Sequence, residues 1–429
     1  MQILLFVYTP AKAKTQDAES ARIQNMYELI IIGGGAAGLF ASANLPTRNA
    51  LLIEHTPEVG KKMLITGGGM CNITNTLSVE AFLTHFGSKE QRNFLLPALQ
   101  NLPPSALSSW FEQRGCALVV REDGKVFPKS LDAHQIRDLL VRESRATIMP
   151  GTKVESIQKT ETNTFLVTTN REAYETKQLL LATGGMSYPR TGSDGSGYQL
   201  AKALGHTIVP PRSGLAALAI EAYPYRHLAG NALRSVQVEF YHQGEAKRYA
   251  HAVGDVLFTH DGLSGPVILT ASRSVLKADR IVATLLSCKT KADLEKQLHA
   301  LLLAQPKKQV SSLLKEAGLF SALAQSLLSS LSLKAETKAG ELGKQNRLQL
   351  VRLITDHPFT VSSVKGFQSA MVTAGGVNLS EVDRKRMEST LQKGLFFCGE
   401  VLDYDGESGG FNLQAAFSTA YLAVQHVSR

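Results

Sequence analysis

The stretch YELIIIGGGAAGLFASANLPTRNALLIE, Tyr27 to Glu54, decides the fold. Leu29-Ile30-Ile31-Ile32 is a short apolar run of the kind that forms a buried parallel strand. It enters Gly33-x-Gly35-x-x-Gly38 and a small-residue helical pattern from Ala36 to Ala41. A second apolar run, Ala50 to Ile53, ends on Glu54, 21 positions after the first glycine of the motif. Strand, glycine turn, helix, strand and acid make one βαβ unit. The first glycine permits the tight turn, the second lets backbone amides approach a pyrophosphate, and the third lets the helix pack close to the strand. The helix N-terminus stabilises phosphate charge, and the acid accepts hydrogen bonds from ribose hydroxyls. A dinucleotide site uses every one of these features; a structural turn uses only the glycines.

A chain of 429 residues is too long for one typical core, so two or three domains are expected. No apolar run approaches the length that crosses a bilayer. Cys71, Cys116, Cys288 and Cys398 lie far apart without a CxxC pair. That argues against a metal site, a dithiol pair and a disulfide framework, and it suits a reducing cytoplasm. The net charge of +9 is spread along the chain, and its densest cluster, Arg384-Lys385-Arg386, is interleaved with Glu381, Asp383 and Glu388. A solvated face is the better reading than a nucleic-acid track, although a basic field also attracts anionic dinucleotides. The expected partner is a small-molecule substrate, with neither nucleic acid nor membrane, for a monomer or homodimer. Ile3 to Tyr8 has no basic residue ahead of it and makes a poor signal peptide. Residues 1–25 are expected to be a disordered extension, or the true start is Met26.

Farther along, a glycine-rich loop runs from Gly60 to Asn75, and helical patterns occupy residues 79–113. Val119 to Phe127 reads as a hairpin around Asp123-Gly124, and Asp132 as the cap of a helix to about residue 145. Strands follow at Thr152 to Gln158, Thr164 to Thr169 and Gln178 to Thr183. From His206 to about Cys288 the period becomes two, as in an antiparallel barrel or sheet. Residues 291–355 return to helical spacing, Phe359 onward to strand, and the chain closes with a strand at Leu395 to Cys398 and a helix from about Asn412 to Val427. The fold expected is α/β. A nucleotide domain from both chain ends (26–205 and 371–429) carries an inserted antiparallel β-barrel (206–289 and 356–370) and a helical unit (290–355).

Two later glycine clusters specify the dinucleotide. Leu179 to Gly185 is an apolar strand ending in Ala-Thr-Gly-Gly, where backbone passes under a cofactor. Gly394 to Gln414 delivers a strand, the Gly399-Glu400 turn, then Gly409-Gly410 and a new helix aimed at the far end of the ligand. Reduction of a flavin puts negative charge at its N1–C2=O2 region, and a positive helix end stabilises that charge. The three clusters in this order read as a Rossmann-like, glutathione-reductase-type site for FAD.

Gly60 to Asn75, Ala182 to Pro210, Gly254 to Pro266, Val372 to Val377 and Gly399 to Gln414 resemble the BaiN-like flavoproteins, also described as aminoacetone-oxidase-like or YhiN-type. The resemblance runs from about Met26 to the C-terminus. It implies FAD, an inserted β-barrel, a small helical domain and oxidoreductase chemistry. It puts FAD contacts at Gly33, Gly35, Ala37, Gly38, Glu54, Lys62, Gly67, Gly69, Asn72, Thr183, Gly184, Gly399, Glu400, Gly410, Asn412 and Leu413. Ala36, His55, Thr66, Gly68, Cys71, Val154, Gly185, Gly375, Asp403, Gly409 and Phe411 are further expected cofactor contacts. The family usually has a basic residue where this chain has Met70, and Lys61 or Arg190 are the expected substitutes. Catalytic candidates are His260 and Asp261 as proton donors, and Tyr188 and Arg190 as holders of an anionic substrate or nicotinamide phosphate. Tyr404 and Asp405 lie beside the Gly-acid turn. No metal is expected. No second GxGxxG follows, so NAD(P)H as donor would bind transiently. The function expected is an FAD-dependent, NAD(P)H-linked reductase of a small C=C or C=O compound. An oxygen-using amine or aminoketone oxidase and a non-catalytic FAD-binding regulatory protein are the rivals.

Overall fold

The computed structural model describes residues 26–427. The expected N-terminal extension lies outside the described residues. Five parallel strands lie in the order Thr147–Met149, Ala50–Ile53, Met26–Ile32, Ala173–Leu181, Leu395–Phe397. Numbered along the chain this is 3-2-1-4-5, with the reversal of order beside the Met26–Ile32 strand. Ligands of open α/β sheets bind at such a switch point, outside the carboxyl ends of the strands. Leu29, Ile30 and Ile31 are fully buried, which explains the unbroken apolar run.

Helices Ala36–Ala43 and Phe411–Gln425 pack together on this sheet, with Phe40 against Phe417 and Trp110 at centroid distances of 4.9 and 4.7 Å. The residues expected to be helical at 79–113 form three helices, Val79–Leu83, Lys89–Asn101 and Pro104–Glu112. The hairpin appears as Leu118–Val120 paired with Lys125–Pro128. Asp132 caps helix Ala133–Glu143 through the His134 N–H at 2.9 Å. Strands Val154–Lys159 and Phe165–Thr169 add an antiparallel meander to the start of the Ala173–Leu181 strand.

The period-two region closes into a six-stranded antiparallel barrel, ordered Leu218–Ile220, Gly262–Ser264, Ala250–Phe258, Ala232–Tyr241, Arg280–Ala283, His357–Val364. Helices Lys291–Ala304, Val310–Glu316, Ser321–Ser330 and Lys344–Thr355 fall between its last two strands in sequence. Leu298, Leu313 and Leu323 belong to the same apolar cluster as Val236, Phe258 and Val361, so barrel and helices share one core. A ribbon of Ile208–Gly214 against Val372–Val377 carries the chain out to this unit and back.

Candidate active site

The carboxyl ends of the parallel strands open onto a cleft of about 460 Å3. At one end, Gly33 has φ +107°, and a Cβ there would lie 2.5 Å from the Ala182 carbonyl oxygen. A Cβ on Gly38 would fall 1.9 Å from the Gly33 carbonyl oxygen, so the third glycine lets helix and strand touch. Gly35 differs: a Cβ there meets nothing within 4 Å. Space is therefore open in front of helix Ala36–Ala43, whose start has neither a side-chain cap nor an acidic residue. Glu54 is buried, and its Oε2 and Oε1 accept from the Gly34 and Thr56 N–H groups, both at 2.7 Å.

The opposite end is built at Glu400. Glu54 and Glu400 follow strands separated by three inter-strand steps, roughly 14 Å at ~4.8 Å per step. Glu400 Oε1 accepts from the Thr373 N–H at 2.7 Å and the Ser187 hydroxyl at 3.2 Å, while Oε2 pairs with Lys62 Nζ at 2.6 Å. Lys62 Nζ also donates to Ser187 Oγ at 2.5 Å. A Cβ on Gly399 would sit 2.7 Å from Ala37 Cβ, so the Gly-acid turn lies directly on the first helix. Helix Phe411–Gln425 starts without a side-chain cap. In the amide orientation that satisfies both of its ends, Asn72 accepts from the Gly410 N–H at 2.9 Å and donates to the Thr74 carbonyl at 2.9 Å. Leu215, Val372 and the half-exposed Ile65 and Met371 supply an apolar wall.

These residues fit FAD. Two uncapped helix starts face one cleft, and Gly35 leaves open space before the first of them. Thr183, on the cleft wall, has a buried hydroxyl without a partner among the described residues. The amides of Gly35 to Ala37 would hold the pyrophosphate, Glu54 the ribose, and the amides at the start of the last helix the pyrimidine end of the flavin. Bound there, FAD supplies hydride acceptance and donation.

The cleft wall brings together Gly33, Gly35, Ala36, Ala37, Glu54, His55, Lys62, Thr66, Gly67, Gly68, Asn72, Val154, Thr183, Gly184, Tyr188, Glu400, Gly409, Gly410, Asn412 and Leu413. Other expected site residues stand elsewhere. His260 and Asp261 lie on the barrel: the His260 carbonyl accepts from Arg226 Nε at 3.2 Å, and Asp261 pairs with Lys365. Arg190 is exposed outside the wall. Cys71 is fully buried with φ +58°, and burial pushes its thiol up to about 12, so it supplies no thiolate. Gly38, Gly185 and Gly399 are packing glycines, with Gly185 held against the Thr373 side chain. Gly69 is also off the wall. Gly375 abuts the Pro210 carbonyl and gives its N–H to Asp403, and neither lines the cleft. Phe411 lies between the rings of Phe82 and His85 at 4.7 and 4.1 Å. Tyr404 and Asp405 are buried behind the loop.

Sequence reading missed Thr56, Ser193, Leu215, Met371, Val372 and Glu407 on the wall. Beside Met70 the cation is Arg121 of the hairpin, with Nη2 at 3.1 Å from Met70 Sδ and its guanidinium 4.3 Å from the Phe127 ring centre. Lys61 lines the cleft as well.

A family described as the HI0933-like protein Rossmann domain matches residues 27–426. The chain belongs to that family. It is 32% identical over 409 residues to a ribosomal RNA dihydrouridine synthase of Escherichia coli (strain K12), covering 93% of this chain and 97% of that one. A protein of the same description from Haemophilus influenzae is 30% identical over 422 residues, covering 94% and 98%. A 3-dehydro-bile acid delta(4,6)-reductase of Clostridium scindens is 29% identical over 423 residues, covering 93% and 98%. The resemblance to BaiN-like flavoproteins is borne out, and this HI0933-like chain is an FAD-dependent oxidoreductase. Among the described residues no helix is long and apolar enough to cross a membrane.

Proposed function

We propose that the enzyme reduces a carbon–carbon double bond conjugated to a carbonyl, with NAD(P)H as electron donor and a uracil ring of ribosomal RNA as substrate. The observation that carries the reading is the far end of the cleft. The same cleft that the last helix opens onto carries an apolar wall of Ile65, Leu215, Met371 and Val372. Such a wall suits a flat, weakly polar ring better than a charged amine. Two relatives are named for dihydrouridine formation and a third for a bile-acid enone, and both chemistries add two hydrogens across a C=C next to C=O. In this proposal the expectation of no nucleic-acid partner gives way, and the net charge of +9 acquires a use toward RNA phosphates.

The transfer balances as one hydride to the β-carbon and one proton to the α-carbon. Of the four catalytic candidates, Tyr188 is the one on the cleft wall, so its hydroxyl is assigned the proton. A donor nucleotide that binds at the flavin face and leaves would share the cleft in turn with the substrate.

The test uses the FAD-loaded protein without oxygen. NADH or NADPH should bleach the flavin, and a uridine-rich ribosomal RNA fragment should restore its colour while gaining two hydrogens by mass spectrometry. Recolouring by a free 4-ene-3-ketosteroid but not by RNA would move the substrate to small enones, the reading the bile-acid relative favours. Bleaching by an amine and not by either nicotinamide would overturn the proposal in favour of an oxidase.

A further inference from the structure

Lys62 and Glu400 are 338 positions apart, yet they form the best-connected polar contact on the cleft wall. Two further chain segments, at Ser187 and Thr373, converge on the Lys62–Glu400 pair. Ser187 accepts from Lys62 Nζ at 2.5 Å and donates to Glu400 Oε1 at 3.2 Å. Thr373, on the return strand of the ribbon, gives its N–H to Glu400 Oε1 at 2.7 Å. Its Oγ1 in turn accepts from the Met186 and Ser187 N–H groups at 2.7 and 3.1 Å. Glu400 follows the Gly399 turn that lies against Ala37. Both side chains of the pair are about one-fifth exposed, in an apolar-walled cleft where screening by water is weak.

The pair is thus held at the Glu400 end by a backbone N–H and at the Lys62 end by the Ser187 hydroxyl, and it is asymmetric. The carboxylate oxygens accept from Lys62, Ser187 and Thr373, while the ammonium has three donors and two partners named here. A spare N–H on a cation in the cofactor cleft has a use when the cofactor gains charge. Reduction delivers two electrons and one proton to a bound flavin, leaving one extra negative charge in the cleft. Glu400 alone opposes that charge, and Lys62 favours it.

We infer that Lys62 sets the reduction potential of the bound flavin, with Glu400 as the counter-charge that holds it in place and limits its effect. This rests on the reading of the cleft as a flavin reductase site, but the measurement needs neither substrate nor nicotinamide. The two partners then carry opposite signs. Removing Lys62 leaves Glu400 unbalanced and disfavours the reduced state. Removing the charge of Glu400 leaves Lys62 unbalanced and favours it.

The experiment is equilibrium photoreduction of FAD-loaded wild type, Lys62→Met, Lys62→Arg and Glu400→Gln against a dye of known potential. The expected result for Lys62→Met is reduced FAD held at least tenfold less well relative to oxidised FAD, a fall of about 30 mV for a two-electron couple. Lys62→Arg should stay near wild type, and Glu400→Gln should shift the potential upward. Equal potentials in all four proteins would overturn the inference. So would a fall in both Lys62→Met and Glu400→Gln, since loss of packing moves both the same way. If Lys62→Met does not retain FAD, Lys62→Gln and Glu400→Gln carry the same opposite-sign test. Failure of RNA or enone to reoxidise the wild type would sink the proposed substrate and leave this measurement intact.

Discussion

At the residue scale, the glycines of the first turn separate into two kinds by what a methyl group would meet. Gly38 has the neighbouring carbonyl at 1.9 Å from a would-be Cβ, while Gly35 has open space and ordinary extended backbone, φ −78° and ψ −166°. Gly35→Ala should therefore fold with a stability change within about 0.5 kcal/mol. Its methyl group would stand where the pyrophosphate belongs, so FAD affinity should fall at least tenfold by fluorescence titration. Unchanged FAD affinity in this variant would refute the placement of the phosphate. Tyr188 carries the second prediction at this scale. Tyr188→Phe should bleach with NAD(P)H as the wild type does, while reoxidation by substrate slows by about a hundredfold, the usual worth of one positioned proton donor. The Gly33 motif was legible because its demands are local. His260 and Asp261 stand off the cleft wall, and the sequence could not say so because FTHDGLSGP reads as a loop whether it faces the cleft or, as here, the barrel surface.

At the level of elements, the strands with strict periodicity were readable, and their closure was not. Val236-x-Val238-x-Phe240 announces a half-buried strand, and all three side chains are buried. Nothing in that pattern says that His357–Val364, after four helices, completes the same barrel. Nor does Val372 to Val377 reveal that Met371 and Val372 will line the cleft, because that follows from pairing with Ile208–Gly214. The closing strand carries a pH-sensitive contact. His357 Nε2 faces the Tyr225 hydroxyl at 2.9 Å, and its Nδ1 faces the Leu353 carbonyl at 3.0 Å. With Nδ1 protonated and Nε2 accepting, the imidazole is neutral, and burial lowers its pKa from 6.5 to about 4. The unfolded chain then binds the extra proton first, so this contribution is full above pH 6.5 and drains away as pH falls toward 4. The loss is on the order of 3 kcal/mol. Buried His206, also lowered by desolvation, adds in the same direction. Urea unfolding followed by barrel tyrosine fluorescence between pH 7.5 and 4.5 should show the decline, and His357→Gln should flatten it. An equal slope in the variant would remove His357 from the account.

At the scale of the whole molecule, a ribbon runs between the two large cores, and an ion pair with little exposure also ties them together. Arg273 follows the barrel-side helix Pro266–Ala271 and reaches the loop ahead of the last helix. Its Nε stands 2.5 Å from Asp405 Oδ2, and its Nη2 donates to the Asp405 carbonyl at 2.9 Å. The two side chains are 16% and 6% exposed. Burial raises the Asp405 pKa, and Arg273 is the foremost group working against that rise. Gly87 makes room for the guanidinium, since a Cβ there would lie 2.7 Å from Nη2. Removing one partner of a buried pair strands the other charge, which costs about 3 kcal/mol, whereas removing both at once costs much less. Arg273→Met should therefore destabilise the protein by about that amount, and Asp405 should take up a proton in response. The Arg273→Met, Asp405→Asn double variant should recover a large part, with a coupling energy above about 1 kcal/mol in a double-mutant cycle. Because the pair ties the barrel to the loop that carries Glu407 and Gly409 onto the cleft wall, the single variant should also release FAD faster on dilution. Additive single effects, with FAD release unchanged, would reduce Arg273 to a packing residue without a role in joining the two cores.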